Sequence, residues 1–144
     1  GKHTLLKDIV QTKGIDNSFY LTNNQLKDWK YLKGSKKIER TDSKGFVYIY
    51  SEGSMSFPDS LEKPSRTIIT GEGGPAPSRF KHVIKQRGKY RRLTPLELER
   101  LNMFPDNHTK LEGITDSKRA FFMGNALVVG VIEKIGNTLL KSID

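Results

Sequence analysis

The sequence predicts an α+β fold, a small and mainly antiparallel β region followed by helices, and three observations carry that expectation. Short aromatic and β-branched runs, separated by Gly- and Pro-rich turns, occupy the middle of the chain. Helix starts with full capping signatures stand at Thr22 and Thr94. Near the C-terminus Leu127, Val131, Ile135 and Leu139 recur at a helical interval, flanked by Val128 and Ile132.

In chain order, residues 21–33 read as a helix, with Thr22 as N-cap, Gln25 as its capping-box partner, and Leu21 stapled to Leu26. Gly34 stops it, and residues 35–44 read as a basic linker. Residues 46–50, Phe-Val-Tyr-Ile-Tyr, have strand composition, and residues 51–58 are turn-rich. Two more short strands are expected at 67–70 and 80–84, separated by an exposed Gly/Pro loop over 71–77. Thr94-Pro95-Leu96-Glu97 is the sharpest helix start, because threonine caps, proline fits the first helical position and glutamate closes the box. That helix should end at Phe104-Pro105. Thr115-Asp116-Ser117 can cap a short helix reaching Met123, Gly124-Asn125 breaks it, and a last helix runs over about 126–141, with core packing the plain reading of its apolar stripe.

Composition narrows the function. At 144 residues the chain is one ordinary domain, or a piece of a larger one. No apolar run approaches the roughly 18 residues of a membrane span, and a cytoplasmic location is expected. Cysteine is absent, which removes disulfides, thiolate metal sites and any cysteine nucleophile from this chain's own chemistry. His3, His82 and His108 lie far apart without metal-ligand spacing, so no metal site is expected. A formal charge of +9, from 25 Lys plus Arg against 16 Asp plus Glu, favours a polyanionic partner.

Two blocks carry a family resemblance. Residues 88–106, Gly-Lys-Tyr-Arg-Arg-Leu-Thr-Pro-Leu-Glu-Leu-Glu-Arg-Leu-Asn-Met-Phe-Pro-Asp, resemble the ninth motif of cytosine-C5 DNA methyltransferases. Residues 123–131, Met-Gly-Asn-Ala-Leu-Val-Val-Gly-Val, are similar to the tenth motif, a Gly-Asn turn opening the terminal helix. Residues 63–74 resemble the end of the family's target-recognition region, and 4–10 the segment after its eighth motif. Leu96, Leu98 and Phe121-Phe122 depart from the usual pattern. The resemblance implies a target-recognition region over 1–87, most family-like at 63–87, and a ninth- and tenth-motif segment over 88–144 whose helices pack on a cofactor domain absent here. It also implies that an N-terminal half supplies the glycine-rich cofactor loop, the Pro-Cys nucleophile and a base-contacting glutamate. The expected partners are duplex DNA and that half, as part of one longer enzyme of restriction-modification type or as a separate large subunit. The chain alone is expected to be inactive.

Acting on a base inside a duplex requires flipping it out, at a cost of a few kcal/mol that contacts to the backbone must offset. Candidate DNA-binding groups are Arg66, Thr67, Thr70, Ser78, Arg79, Lys81, Lys85, Arg87 and the backbone amides of Gly73 and Gly74. Arg66, Arg79 and Glu72 are the candidate base readers. The competing reading is that these arginines sit in ordinary ion pairs and that Glu72 is a solvated loop acid. In the family the threonine of a Thr-aliphatic pair lies beside the flipped nucleotide's backbone, which implies that role for Thr67. Arg91, Glu97 and Arg100 are implied to be structural. Asn125 and Ala126 are implied to approach the methionine end of S-adenosylmethionine, against the plainer reading of Gly124-Asn125 as a turn. No catalytic residue and no metal ligand is assigned. A free-standing DNA-binding module and an RNA-directed enzyme are the rival readings.

Overall fold

Both capping boxes form. Gln25 N donates to Thr22 Oγ1 and Thr22 N to Gln25 Oε1, starting α2 (Asn23–Lys33), which closes with Gly34 N on Lys30 O at 2.9 Å. Thr94 and Glu97 repeat the arrangement at the start of α3 (Pro95–Leu101). These belong to a computed structural model that describes residues 3–143. A short helix, α1 (Leu6–Ile9), and a 3-10 turn at Asn17–Phe19 precede α2.

The strands depart from expectation. The presumed basic linker is β1 (Lys36–Thr41), antiparallel to β2 (Val47–Glu52) with register Lys36↔Glu52 through Thr41↔Val47. Charged residues are tolerated there because the ribbon has solvent on both faces, so no alternation announces it. Residues 67–70 form no strand; they lie against α4 (Asp116–Asn125) instead of beside a pairing partner. In the 80–84 segment pairing begins only at Val83, in β3 (Val83–Gln86), which pairs with β4 (Lys89–Arg92). The two residues between them, Arg87 at φ 50° and Gly88 at φ 79°, have the left-handed backbone of a tight hairpin turn. The position between 87 and 88 therefore falls inside a hairpin. Helices with two separate antiparallel ribbons make the α+β class.

Leu6, Ile9, Ile68, Ile84, Leu93, Leu98, Ala120 and Met123 form the core, gathering residues from both sides of that hairpin turn. Helix α3 ends at Leu101, short of Phe104-Pro105, and α4 continues through Gly124 and Asn125, so the break falls at 126–128. The last helix, α5 (Val129–Ile143), corrects the core-packing expectation for its stripe: Leu127 is 67% exposed, Leu139 59%, and Val131, Ile132 and Ile135 are also exposed. Among the described residues no part of the protein lies across that stripe, since α5 is held at its N-terminal end, where Val129 N donates to Asn102 O at 3.0 Å. None of the described helices is long and apolar enough to cross a membrane.

Gly124 fixes how residues 67–70 seat on α4. A Cβ there would come 2.4 Å from Thr70 Cα and 2.6 Å from Ile69 C, backbone atoms that cannot swing aside. Gly124→Ala gains about 1 kcal/mol of helix propensity but incurs overpacking of about 1–3 kcal/mol, which should win because the obstruction is backbone. A lowered urea midpoint is expected. Gly130→Ala, which would meet only the flexible thioether of Met103, is the control that should hold or gain stability; equal midpoints for the two variants would mean that residues 67–70 are not seated as described.

Candidate nucleic-acid interface

Asp59 is the anchor of the segment entering the candidate interface. Its carboxylate accepts from Arg66 Nε at 2.8 Å, Arg66 Nη2 at 3.1 Å and Val83 N at 2.9 Å. Burial by itself would raise its pKa, but these bonds outweigh burial and hold the carboxyl below its usual range. Arg66 also donates from Nη1 to Phe80 O at 3.0 Å, so its half-buried fork is engaged by protein oxygens.

Glu72 is turned into the fold, at 4% exposure. Its carboxylate accepts from His82 N and from His82 Nδ1, the latter at 2.9 Å, while Ser65 Oγ lies 3.1 Å from His82 Nε2. A carboxylate so committed presents nothing to a base edge, which corrects the reading of Glu72 as a base reader and as an exposed loop acid. Lys81 is likewise buried, donating from Nζ to Ala76 O at 2.9 Å and Gly74 O at 3.3 Å, and burial lowers its pKa. Arg79 donates to Leu32 O at 3.2 Å, Gly34 O at 3.3 Å and Gly53 O, and pairs with Glu52 at 3.1 Å. Gly73 is pressed on Ser117, where a Cβ would come 2.7 Å from Cα, and Gly74 O accepts from Arg92 Nη1 at 2.8 Å. Thr67, Thr70, Lys85 and Arg87 remain exposed, and Ser78 is half-buried.

Beneath this surface lies a network built on residues 86–106. Arg91 donates to both oxygens of Glu97, at 2.7 and 2.8 Å, and to Gln86 Oε1 at 3.0 Å, with both ion-pair side chains fully buried. Glu97 also accepts from Gln11 N at 2.7 Å and Thr94 N at 2.8 Å. Arg100 clasps Asp106 at 2.6 and 2.7 Å and donates to Ile9 O at 2.9 Å. Glu99 was not singled out in the sequence, yet it is buried and accepts from Asn107 N, Thr109 N and Arg119 Nη2. No local pattern announces that role, because Arg119 lies a loop and a helix turn away.

One cleft of about 540 Å³ joins the two regions. Arg66, Thr67, Asn102, Met103, Gly124 and Ala126 are among the residues that line it. Asn102 Nδ2 donates to Met123 O at 2.8 Å, fixing α4 beside the cleft. Asn125 is exposed at the end of α4, its amide nitrogen donating to Phe121 O at 3.0 Å and its carbonyl oxygen making no bond among the described residues. Ala126 lines the cleft and the adjacent Asn125 keeps a carbonyl oxygen unbonded among the described residues, so at most two positions at a helix end are offered toward a cofactor and no enclosed cradle for a whole nucleoside.

Lys33 is the costliest charge near this surface. Its side chain is 1% exposed beside Trp29, with Nζ donating to Lys81 O at 2.5 Å. Burial pushes its pKa from the ordinary 10.5 down to about 8, and Arg66 nearby acts in the same direction against the pull of Asp59. Because the folded value is depressed, the unfolded chain binds the extra proton between about pH 8 and 10.5, so folded stability rises with pH across that window. The gain should approach about 3 kcal/mol. In urea unfolding at pH 7 and pH 10, the difference between wild type and Lys33→Met should shift toward wild type at pH 10; a pH-independent difference would contradict this burial.

The family model for C-5 cytosine-specific DNA methylase matches residues 2–141. The chain is 47% identical over 140 residues to the type II methyltransferase M.Sau3AI of Staphylococcus aureus, covering 97% of this chain and 33% of that protein. It is 29% identical to the type II methyltransferase M2.ScrFI of Lactococcus lactis subsp. cremoris, over 96% of this chain and 34% of that one. It thus spans about a third of the length of the curated relatives it matches. In fold it is similar to the Entamoeba histolytica methyltransferase EhMeth, with a TM-score of 0.64 at 14% identity, covering all of this chain and 42% of that one.

Proposed function

The chain belongs to the C-5 cytosine-specific DNA methylase family, and from that premise we propose that it is the DNA-reading and positioning part of a restriction-modification cytosine-C5 methyltransferase. What supports this reading is the shared cleft, whose lining includes both Thr67 of the recognition segment and Ala126 of the tenth-motif turn. A net charge of +9 supports duplex DNA as the partner.

The chain's own residues then act by holding and orienting. Asp59 and Arg66 fix the segment that carries Thr67 and Thr70, whose exposed hydroxyls suit sugar-phosphate oxygens. Lys85 and Arg87, exposed on the β3–β4 hairpin, add phosphate contacts. Arg66, Arg79 and Lys81 contribute by shaping this surface, since their charged groups are engaged within it. Asn125 and Ala126 would hold the methionine end of S-adenosylmethionine, which supplies the methyl group when bound. The stripe of α5 docks on the remainder of the enzyme, which brings the nucleophile.

Binding of this chain to duplex DNA should be steeply salt-dependent. With about four phosphates neutralised, log K against log salt should fall with a slope near −3.6. A slope close to zero in fluorescence-anisotropy titrations would contradict the reading.

A further inference from the structure

The ribbon of β1 and β2 stands apart from the rest of the fold. Among the described residues its strands pair only with each other, and Ile38, Phe46, Val47, Tyr48 and Ile49 are all exposed, Ile49 at 70%. An isolated two-stranded ribbon is marginal in water, yet this one is built with care at both ends. At the tip, Asp42 Oδ1 accepts from Lys44 N at 2.8 Å and Phe46 N at 2.9 Å, and Gly45 takes the left-handed backbone at φ 82°. At the base, Arg79 ties Glu52, the last residue of the second strand, and Gly53 after it to Leu32 and Gly34 before the first, and Lys36 lies 3.6 Å from Glu52.

Arg40 sits midway along the ribbon. Arg66, Arg79, Arg91, Arg92, Arg100 and Arg119 all donate to protein oxygens. The guanidinia of Arg87 and Arg40 make no such bond among the described residues, and that of Arg40 lies over the Tyr50 ring, 3.8 Å from its centroid. Stacking holds the planar fork in one orientation while leaving its N–H donors free. Ile38 and Tyr48 flank it on the same face, since the register places Ile38 opposite Tyr50 and Arg40 opposite Tyr48. Lys37 and Lys44 are exposed at the margins.

We propose that the β1–β2 ribbon enters the DNA major groove and that Arg40 reads a guanine there. This rests on the DNA-reading function proposed above and adds the element and the residue that supply specificity. A two-stranded ribbon fits the roughly 12 Å wide major groove. A fork of N–H donors matches O6 and N7 of guanine, apolar neighbours suit thymine methyl groups, and marginal lysines suit phosphates. Arg79 is then a positioning residue that fixes the angle at which the ribbon leaves the body.

The test uses the full-length enzyme that carries this chain, with methylation measured on duplexes varied at each base pair of its site. Arg40→Ala should reduce discrimination at one G·C pair by roughly 5- to 150-fold, leaving preferences at other positions in place. Arg40→Lys, which keeps the charge and loses the fork, should not restore it. Unchanged sequence preference in both variants, or equal weakening on every sequence as a phosphate contact would give, overturns the assignment. Loss of association with the remainder of the enzyme with preference intact also overturns it, by making the ribbon a protein-docking element. A wild-type enzyme without site preference overturns the DNA-reading function itself, and this inference with it.

Discussion

Glu97→Ala is expected to destabilise the protein by about 3–5 kcal/mol, the cost of leaving a buried charge without its partner. Arg91 and Glu97 are both fully buried, and removing the carboxylate takes two bonds from the guanidinium while orphaning the amides of Gln11 and Thr94. Against a total stability of about 5–15 kcal/mol for a domain, that loss leaves little folded protein in reserve. The cost measures the break and not the net worth of the pair, so Arg91→Met with Glu97→Leu should recover a large part of it. Urea unfolding followed by circular dichroism checks both expectations. A loss below about 1 kcal/mol for Glu97→Ala would mean that water reaches the pair.

What was legible in the sequence was local. Thr22 with Gln25 and Thr94 with Glu97 announce helices because cap and partner lie within one turn, and both boxes form. The β1–β2 ribbon was half visible: the aromatic run of β2 reads as a strand, but Lys36, Lys37, Glu39 and Arg40 disguise its partner. Residues 67–70 have strand composition and no strand, because Gly124 offers them a helix surface to lie on. The apolar stripe of α5 is legible as a helix face, but its pattern reports that a face must be covered and not by what: plain core packing fails here, whereas a helix expected to pack on an absent domain leaves its stripe exposed, as this one is. Within the candidate site, the inward turn of Glu72 and the engagement of Arg66 and Arg79 depend on His82, Asp59, Glu52 and backbone carbonyls. Those partners meet only when the loops close. The structural roles of Arg91, Glu97 and Arg100 came from the family resemblance, and their geometry is that of buried or clasped ion pairs.

The second large effect concerns activity. The chain alone is expected to transfer no methyl group, because the reaction needs a thiolate at C6 of cytosine and this chain contains no cysteine. The central claim, that this part reads and positions while the remainder reacts, is tested most directly by incorporation of tritiated methyl from S-adenosylmethionine into duplex DNA, with the chain alone and with the chain mixed with the N-terminal half of its enzyme. The account predicts no label above a no-protein control for the chain alone and sequence-specific labelling on mixing. Label transferred by the purified chain alone, with host methyltransferases excluded, would contradict it.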